Sequence, residues 1–498
     1  MRPGSRVNVS GELAERARRE GFTDAPAYLV DGPGRPHTVH THGEVHGLAA
    51  RLASVLAERG VRAGDRVFVA CTDSAELVAL FLAAGRIGAV AVLVNPQLRA
   101  PDYAPLVACA RPALAVSGPE LEGALGPAWV ALERLVVEAE RAAEAPAAAL
   151  APDVPLYVQF TSGTTGSPKG AVHRHADLAP YHRAVGEGML GITRDDVTLS
   201  VSKMFFAYGF GNSLVYPLFS GSAAVLRAAR PTPAETAELV ARHQVTLLHA
   251  VPSAYANLVA ETGPEAYRTV RVAVSAGESL PVTLGRRAGE LVGVPVLDEL
   301  GSTEVGGAYC ANTPADNTPG TIGRPLSGYR LEVRDQADRP VPDGTEGRLW
   351  TTGPTLLTGY LDNPEETARV LRDGWLATND TGVRRPDGRF EHTGRADDVE
   401  VVGGINVWPR EVEAVLLEHP AVREVVVAAV RDERGASKLR AFVVITGTGD
   451  NCLENELLTL ARGRLSAFKV PRTVTVVPEL PRTFTGKVRR FVARTGSW

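Results

Sequence analysis

The stretch Thr161 to Gly170, TSGTTGSPKG, constrains this chain more than any other, because it comes directly after the apolar run LYVQF at Leu156 to Phe160. The apolar run reads as a strand, and the ten residues after it carry turn chemistry rich in glycine and hydroxyls. Glycine lets a backbone turn tightly and bring its N–H groups close to a ligand. Successive N–H groups in such a turn make a concave anion site. Thr161, Ser162, Thr164 and Thr165 add hydroxyl donors around Gly163 and Gly166, and Lys169 adds a mobile positive charge. The spacing is not that of a Walker loop, since Pro168 precedes the lysine and Gly170 comes after it. A plain polar surface loop is the competing reading. Such loops rarely set so many phosphate-compatible groups on the end of an apolar strand, so a nucleoside triphosphate is the expected guest.

At 498 residues the chain exceeds what one hydrophobic core supports, so two or three domains are expected. A net charge of −4 argues against a nucleic-acid partner held by counterion release. No apolar run reaches membrane-spanning length; Ile87 to Val94 is far too short, so no membrane partner is expected. The N-terminal residues lack the apolar core of a secretion signal. Cys71, Cys109, Cys310 and Cys452 lie far apart without a CxxC pair and read as thiols of a reducing compartment, which points to the cytoplasm.

Along the chain, strand-like and helix-like patterns alternate up to about residue 150. DRVFVA at Asp65 to Ala70 reads as a strand, the segment after Ser74 as a capped amphipathic helix and AVAVLV as a second strand, a βαβ unit that implies a parallel sheet. His37, His40, His42 and His46 cluster upstream; His42 and His46 have the i, i+4 spacing of a ligand pair. Without a nearby cysteine or paired carboxylate, a surface hairpin feeding a helix fits them better than a metal. The Ala/Pro-rich segment Ala142 to Pro155 reads as a connector. Later strands at Val245 to Pro252, Val270 to Glu278 and Val294 to Glu304 each end in a polar or glycine-rich turn, where open α/β sheets gather ligands. RLEVRD and GRLWTTGP suggest a β-barrel-like subdomain, and the segment from Gly394 onward an α+β unit.

In order, TSGTTGSPKG, SAGE at 275–278, GSTE at 301–304, GRLWTTGPTLLTGY, WLATND at 375–380, GRADD at 394–398 and TGK at 485–487 resemble the motifs of adenylate-forming enzymes, the superfamily of acyl- and aryl-CoA synthetases, nonribosomal adenylation domains and luciferases. Within it, SKMFFAYGFGNSLVYPL at Ser202 to Leu218 and DELGSTE look most like benzoate-CoA ligases. The resemblance implies an α/β N-terminal domain with a β-barrel-like subdomain, residues 1–393, and a small mobile α+β domain, 394–498, hinged near Asp397. It also implies an aryl-acid ligase (AMP-forming) that makes an acyl-AMP from ATP and passes the acyl group to coenzyme A, or to the phosphopantetheine of a carrier protein. A monomer or homodimer is expected.

The same resemblance assigns residues. Seen singly, Glu304, Asp380 or Lys487 would be a solvated surface charge; the joint order of motifs gives them roles. Glu304, with Thr161 or Thr303, would hold Mg²⁺ against the triphosphate, and the 161–170 loop would cradle phosphates. Lys487 would bridge carboxylate and α-phosphate, Asp380 would accept both ribose hydroxyls, and Arg395 would support ribose or phosphate. Leu300 and Gly277 would pack at the adenine, with Asp298 accepting its amino group. Phe206, Ala207, Tyr208, Ala276, Gly277, Leu300, Gly301 and Gly306 would line the acid pocket, which Gly306 and Gly307 are expected to make roomy. Asp397, Gly403, Gly404, Asn406 and Trp408 would serve the hinge and the thiol tunnel. Two departures stand out: no lysine near Val401, and Asn379 before Asp380 where glycine is usual. Arg434, Lys438, Arg440, Lys469 and Arg472 could form a basic patch for CoA or a merely solvated face.

Overall fold

The computed structural model describes residues 7–32, 37–161, 168–395, 400–402, 405–407, 409–431, 437–447, 452–482 and 488–495. These fall into two compact units. One comprises Met1–Leu280, Gly285–Leu331 and Thr351–Leu376; the other comprises Pro281–Leu284, Glu332–Trp350 and Ala377–Trp498.

Two mixed sheets organise the first unit. The seven-stranded sheet runs in the order Gly359–Tyr360, Lys169–Arg174, Pro155–Thr161, Val90–Leu93, Arg66–Ala70, Leu114–Ser117 and Trp129–Ala131. The nine-stranded sheet runs Arg324–Pro325, Gly307–Ala311, Val296–Ser302, Val272–Ser275, Leu247–Ala250, Val197–Ser200, Ala223–Arg227, Pro26–Asp31 and Thr38–Thr41. The βαβ unit read from the sequence is present: Arg66–Ala70 pairs in parallel with Val90–Leu93, joined through the helix Ala75–Arg86. Ser74 starts that helix by accepting the Leu77 N–H at 3.1 Å. Leu77 to Gly85 are buried all round, as expected of a helix apolar on every side.

The surface hairpin feeding a helix is present, Thr38–Thr41 pairing antiparallel with Pro26–Asp31 and leading straight into a helix, but His42 and His46 lie past the hairpin and are buried. They begin the helix His42–Glu58, opened by a Thr41–Glu44 capping box, and face inward; His42 is fully buried and its Nε2 donates to the Ser222 carbonyl at 3.2 Å. The Ala/Pro-rich connector is bound in place, because its backbone has partners elsewhere in the unit. The Ala145 N–H donates to the Ala50 carbonyl, the Ala148 N–H to the Arg86 carbonyl, and Asn8 Nδ2 to the Ala148 carbonyl, all within 3.0 Å. Cys71 and Cys310 are buried thiols, Cys109 is half-buried and Cys452 exposed, and none is in a disulfide. No helix among the described residues is long and apolar enough to cross a membrane.

Five strands between Arg330 and Arg395 form a sheet where the Gly/Pro-punctuated segment suggested a barrel-like subdomain; among the described residues its pairings run as an open path, with Phe390–Arg395 branching from Trp375–Arg384. Within the second unit, Val422–Arg431 lies antiparallel to Ser437–Ile445, which takes Thr473–Val476 in parallel on its other side. The helices Pro409–Leu416 and Leu453–Arg464 cover this sheet through Val412, Leu416, Leu457 and Ala461. A mixed α/β unit accompanied by a smaller α+β unit is the fold class read from the sequence.

Candidate active site

Parallel pairing brings the expected turns together. His249 pairs with Val274 and Val274 with Leu297, so the strands ending in SAGE and in DELGSTE lie side by side with their carboxyl ends at one edge. Ala276 is buried, Gly277 takes a positive φ of 88° in the turn, and Leu300 is buried next to the bend toward Glu304. The Tyr208 hydroxyl donates to the Val274 carbonyl at 3.0 Å, which fastens the short helix Ala207–Phe210 onto this edge. Phe206 sits half-buried just before it, its ring centroid 4.4 Å from that of Phe205. The fold thus gathers Tyr208, Ala276, Gly277, Leu300 and Gly301 at one edge, with Phe206 and Ala207 just before Tyr208 in the chain. Lys203, part of the same sequence signature, is a buried clamp: it donates to the Ala229 carbonyl at 3.1 Å and lies 3.8 Å from Asp73, whose carboxyl burial pushes up to about 6.

The glycines after Glu304 do not open the roomy end expected of them. Gly307 has φ 156°, and a Cβ there would sit 2.4 Å from the Tyr181 ring; one at Gly306 would meet the Tyr157 hydroxyl at 3.1 Å. The glycines make room for tyrosines already in place. The Tyr181 and Tyr216 hydroxyls share a hydrogen bond of 2.9 Å.

Thr161 and Lys169 pair across the base of the phosphate loop, closing it as a hairpin. Ser162, Gly163, Thr164, Thr165 and Gly166 lie outside the described residues. The Lys169 ammonium is paired with Glu366 and stands 6.0 Å from the Tyr360 ring centroid. Arg369 grips the same carboxylate and, with Lys169, holds it down to about 2. Tyr360 in turn donates its hydroxyl to Glu304 Oε1 at 2.8 Å, and the Leu357 N–H donates to the Glu304 carbonyl at 2.7 Å. On the other side of Glu304, His173 Nε2 donates to the Thr303 carbonyl at 2.7 Å. One segment, 357–369, therefore ties the exit of the phosphate loop to Glu304. Neither Tyr360 nor Glu366 is among the site residues expected from the sequence; Tyr360 closes the GRLWTTGPTLLTGY stretch and Glu366 lies six residues beyond it, which was the one signal available.

Donor chemistry near Glu304 suits Mg²⁺. A carboxylate with one oxygen engaged by Tyr360, with the Thr303 hydroxyl on the residue before it, offers hard oxygen ligands of the kind that cation shares with substrate phosphates. No group of three or more His, Cys, Asp or Glu side chains able to hold a metal occurs among the described residues.

In the second unit, Asp380 and Arg395 are directly opposite on antiparallel strands. Asp380 Oδ1 lies 3.1 Å from His392 Nε2, while His392 Nδ1 lies 2.8 Å from an Arg410 guanidinium nitrogen. Arginine can only donate, so Nδ1 accepts and Nε2–H donates to Asp380. Burial lowers the His392 pKa, in keeping with the neutral imidazole that this arrangement requires. His392 and Arg410 were missed; nothing in their sequence neighbourhood distinguishes them from ordinary strand and helix residues. Lys487, Asp397, Gly403, Gly404 and Trp408 lie outside the described residues, and of Asn406 only its pairing opposite Val401 is described. In the suggested basic patch, Lys469 is paired with Glu411, Lys438 and Arg472 are exposed, and Arg434 is outside the described residues.

A loop of nucleotide-type sequence, a carboxylate tied to its exit through Tyr360 and Lys169, and a buried apolar edge at adjacent strand ends define a class. The chain belongs to the AMP-binding enzyme family: that family's model matches residues 13–361, and the model of the AMP-binding enzyme C-terminal domain matches 411–487. It is an AMP-forming acid–thiol ligase of the benzoate-CoA ligase type. It is similar to the p-hydroxybenzoic acid–AMP ligase FadD22 of Mycobacterium tuberculosis (strain ATCC 25618 / H37Rv), 41% identical over 494 residues that cover 98% of this chain and 69% of that one. It is also similar to the benzoate–CoA ligase of Thauera aromatica, 35% identical over 98% of this chain and 96% of that one. The crystal structure of a benzoate CoA ligase from Burkholderia xenovorans LB400 superimposes with a TM-score of 0.89 at 33% identity, covering 98% of this chain and 99% of that chain.

Proposed function

We propose that this enzyme activates benzoate or a related aryl carboxylic acid with ATP, forming the acyl-AMP and pyrophosphate, and then transfers the acyl group to the thiol of coenzyme A. The observation that carries the reading is the edge of adjacent strand ends where Ala276 and Leu300 are buried, with Tyr208 fastened to it through the Val274 carbonyl and Leu300 on the strand that leads to Glu304. A free carboxylate is a poor acyl donor because oxide cannot leave; the mixed anhydride with AMP supplies the leaving group. Glu304, with Thr161 or Thr303, would hold Mg²⁺, which when bound supplies positive charge toward the leaving pyrophosphate. Thr161 and the 162–166 loop would hold the phosphates through N–H and hydroxyl groups, and Lys487 would stabilise charge between carboxylate and α-phosphate. Asp298, Asp380 and Arg395 keep their nucleotide roles, and the division at 393/394 with a hinge at Asp397 keeps its place, as parts of this proposal. So do the thiol-tunnel roles of Gly403, Gly404, Asn406 and Trp408.

A second acceptor is favoured by one observation: the FadD22 relatives, 41% identical, are named as AMP ligases and not as CoA ligases. The acceptor would then be the phosphopantetheine thiol of a carrier protein. Acid-dependent pyrophosphate release is the first test, and silence with every aryl acid sinks the proposal. Thioester formation with free CoA against a holo carrier protein then decides the acceptor.

A further inference from the structure

Behind the strand-end edge that holds Ala276 and Leu300 lies a cluster of polar side chains with no part in adenylation or thiol transfer. Cross-strand neighbours share a face of a sheet, so His249, Val274 and Leu297 project to the same side. Glu299, two residues past Leu297, and Ala276, two past Val274, continue that face beyond the last paired positions, Ser275 and Asp298. The opposite face, with Leu248, Ala250, Ala273 and Val296, is hydrophobic core. Glu299 therefore stands next to Ala276 on the side where Tyr208 is fastened.

Its surroundings are aromatic and closed. Glu299 is 6% exposed, and among the described residues no hydrogen bond or ion pair reaches its carboxyl. It lies close enough for its charge to act on Tyr181, Tyr208 and Tyr216, all held protonated, chiefly by burial. The Tyr181 and Tyr216 hydroxyls satisfy each other, and the Tyr208 hydroxyl is spent on the Val274 carbonyl. His249, 1% exposed, packs its ring against Tyr208 and Tyr216 with centroids 5.8 and 6.1 Å away, and neither of its ring nitrogens has a hydrogen-bond partner. Burial pushes the Glu299 carboxyl up to about 8 and the imidazole down to about 3, favouring the neutral form of each, in which each can donate and accept.

Buried polar groups are normally hydrogen-bonded, and a buried carboxyl that finds no partner among the described residues, beside an acid pocket, marks where a ligand's polar group belongs. We infer that Glu299 and His249 form a polar floor to the acid pocket that selects aryl acids carrying a hydrogen-bonding ring substituent, a hydroxyl or an amino group, over unsubstituted benzoate. The inference rests on the aryl-acid reading and sharpens it. A pocket built to hydrogen-bond a substrate O–H or N–H leaves its own groups unpaired when the analogue lacks it, and discriminates far more strongly than an apolar pocket judging one methyl group.

The test is a panel of benzoate, the three methylbenzoates, the three hydroxybenzoates and the three aminobenzoates, read as acid-dependent pyrophosphate release. The expected result is that the best hydroxy- or aminobenzoate exceeds benzoate and its methyl analogues in kcat/KM by about tenfold or more. Glu299→Leu should collapse that ratio, while Glu299→Gln, which keeps the shape and hydrogen-bonding capacity and guards against misfolding, should retain part of it. His249→Phe should reduce the same ratio. If benzoate or a methylbenzoate matches the best hydroxy or amino acid, or if the ratio survives Glu299→Leu, the inference alone is overturned and the aryl-acid reading stands. If no aryl acid at all is activated, that reading falls and the inference falls with it.

Discussion

Replacing Tyr360 by phenylalanine removes one oxygen from a buried ring and leaves its packing intact, which isolates the support given to Glu304. Tyr360 is 8% exposed, its N–H is held by Thr367 Oγ1 at 2.8 Å, and its hydroxyl donates to Glu304 Oε1 at 2.8 Å. Burial first, and the Glu304 charge second, push the phenol far above its ordinary pKa, so it remains a donor throughout the working range. A hydrogen bond to a charged group contributes roughly 1.5–3 kcal/mol. At about 1.4 kcal/mol per tenfold, that is a factor of roughly ten to a hundred, the range found when partners supporting a metal ligand are removed. With Glu304 as the Mg²⁺ ligand, Tyr360→Phe should raise the Mg²⁺ concentration for half-maximal pyrophosphate release by about tenfold to a hundredfold. At saturating Mg²⁺, kcat should recover most of its value. Initial rates across a magnesium titration at saturating ATP and acid give the number, and a melting curve confirms the fold. An unchanged half-saturation in a variant that melts like the parent would refute the reasoning.

Three other substitutions act on neighbouring charges. Glu366→Gln leaves Lys169 and Arg369 without their shared carboxylate and should cost roughly 3 kcal/mol in urea unfolding. Because that carboxyl's pKa is depressed to about 2, its contribution is fully present above the unfolded value near 4.3 and disappears only as the pH falls toward 2, so the difference between variant and parent should be flat from about pH 8 to 5. His46 behaves oppositely in cause: burial lowers it to about 3, the unfolded chain takes up the proton first, and stability is lost as the pH falls below about 6.5. His46→Leu should remove about 2 kcal/mol of the acid loss between pH 6.5 and 5, seen as a flatter unfolding midpoint across those buffers. Lys487→Ala should slow acyl-AMP formation about a hundredfold or more while sparing thioester formation from supplied acyl-AMP; full-speed adenylation would remove the lysine from the mechanism.

Much of this protein is written within short windows of its sequence. Ser74 before an apolar run, the Thr41–Glu44 box and alternating Val/Leu stretches specify helices and strands by themselves, since caps and side-chain periodicity act over a few residues. The ordered turns placed it in its family for the same reason: each needs only the glycines, hydroxyls and charge of its own loop. The surroundings of those turns were settled by packing. Tyr360 reaches Glu304 across 56 positions, from one sheet to the turn after a strand of the other, and His392 joins Asp380 on the neighbouring strand to Arg410 on a helix, contacts that only the assembled chain makes. The glycines at 306 and 307 suggested empty space until Tyr181, from a helix far upstream, was seen to fill it. Whether Glu299 lies in solvent or under three tyrosines depends on the register of one parallel strand against the next, and a shift of one residue would turn it to the other face. Burial is a property of the assembled chain, and burial decides which of these carboxyls and imidazoles carries a charge.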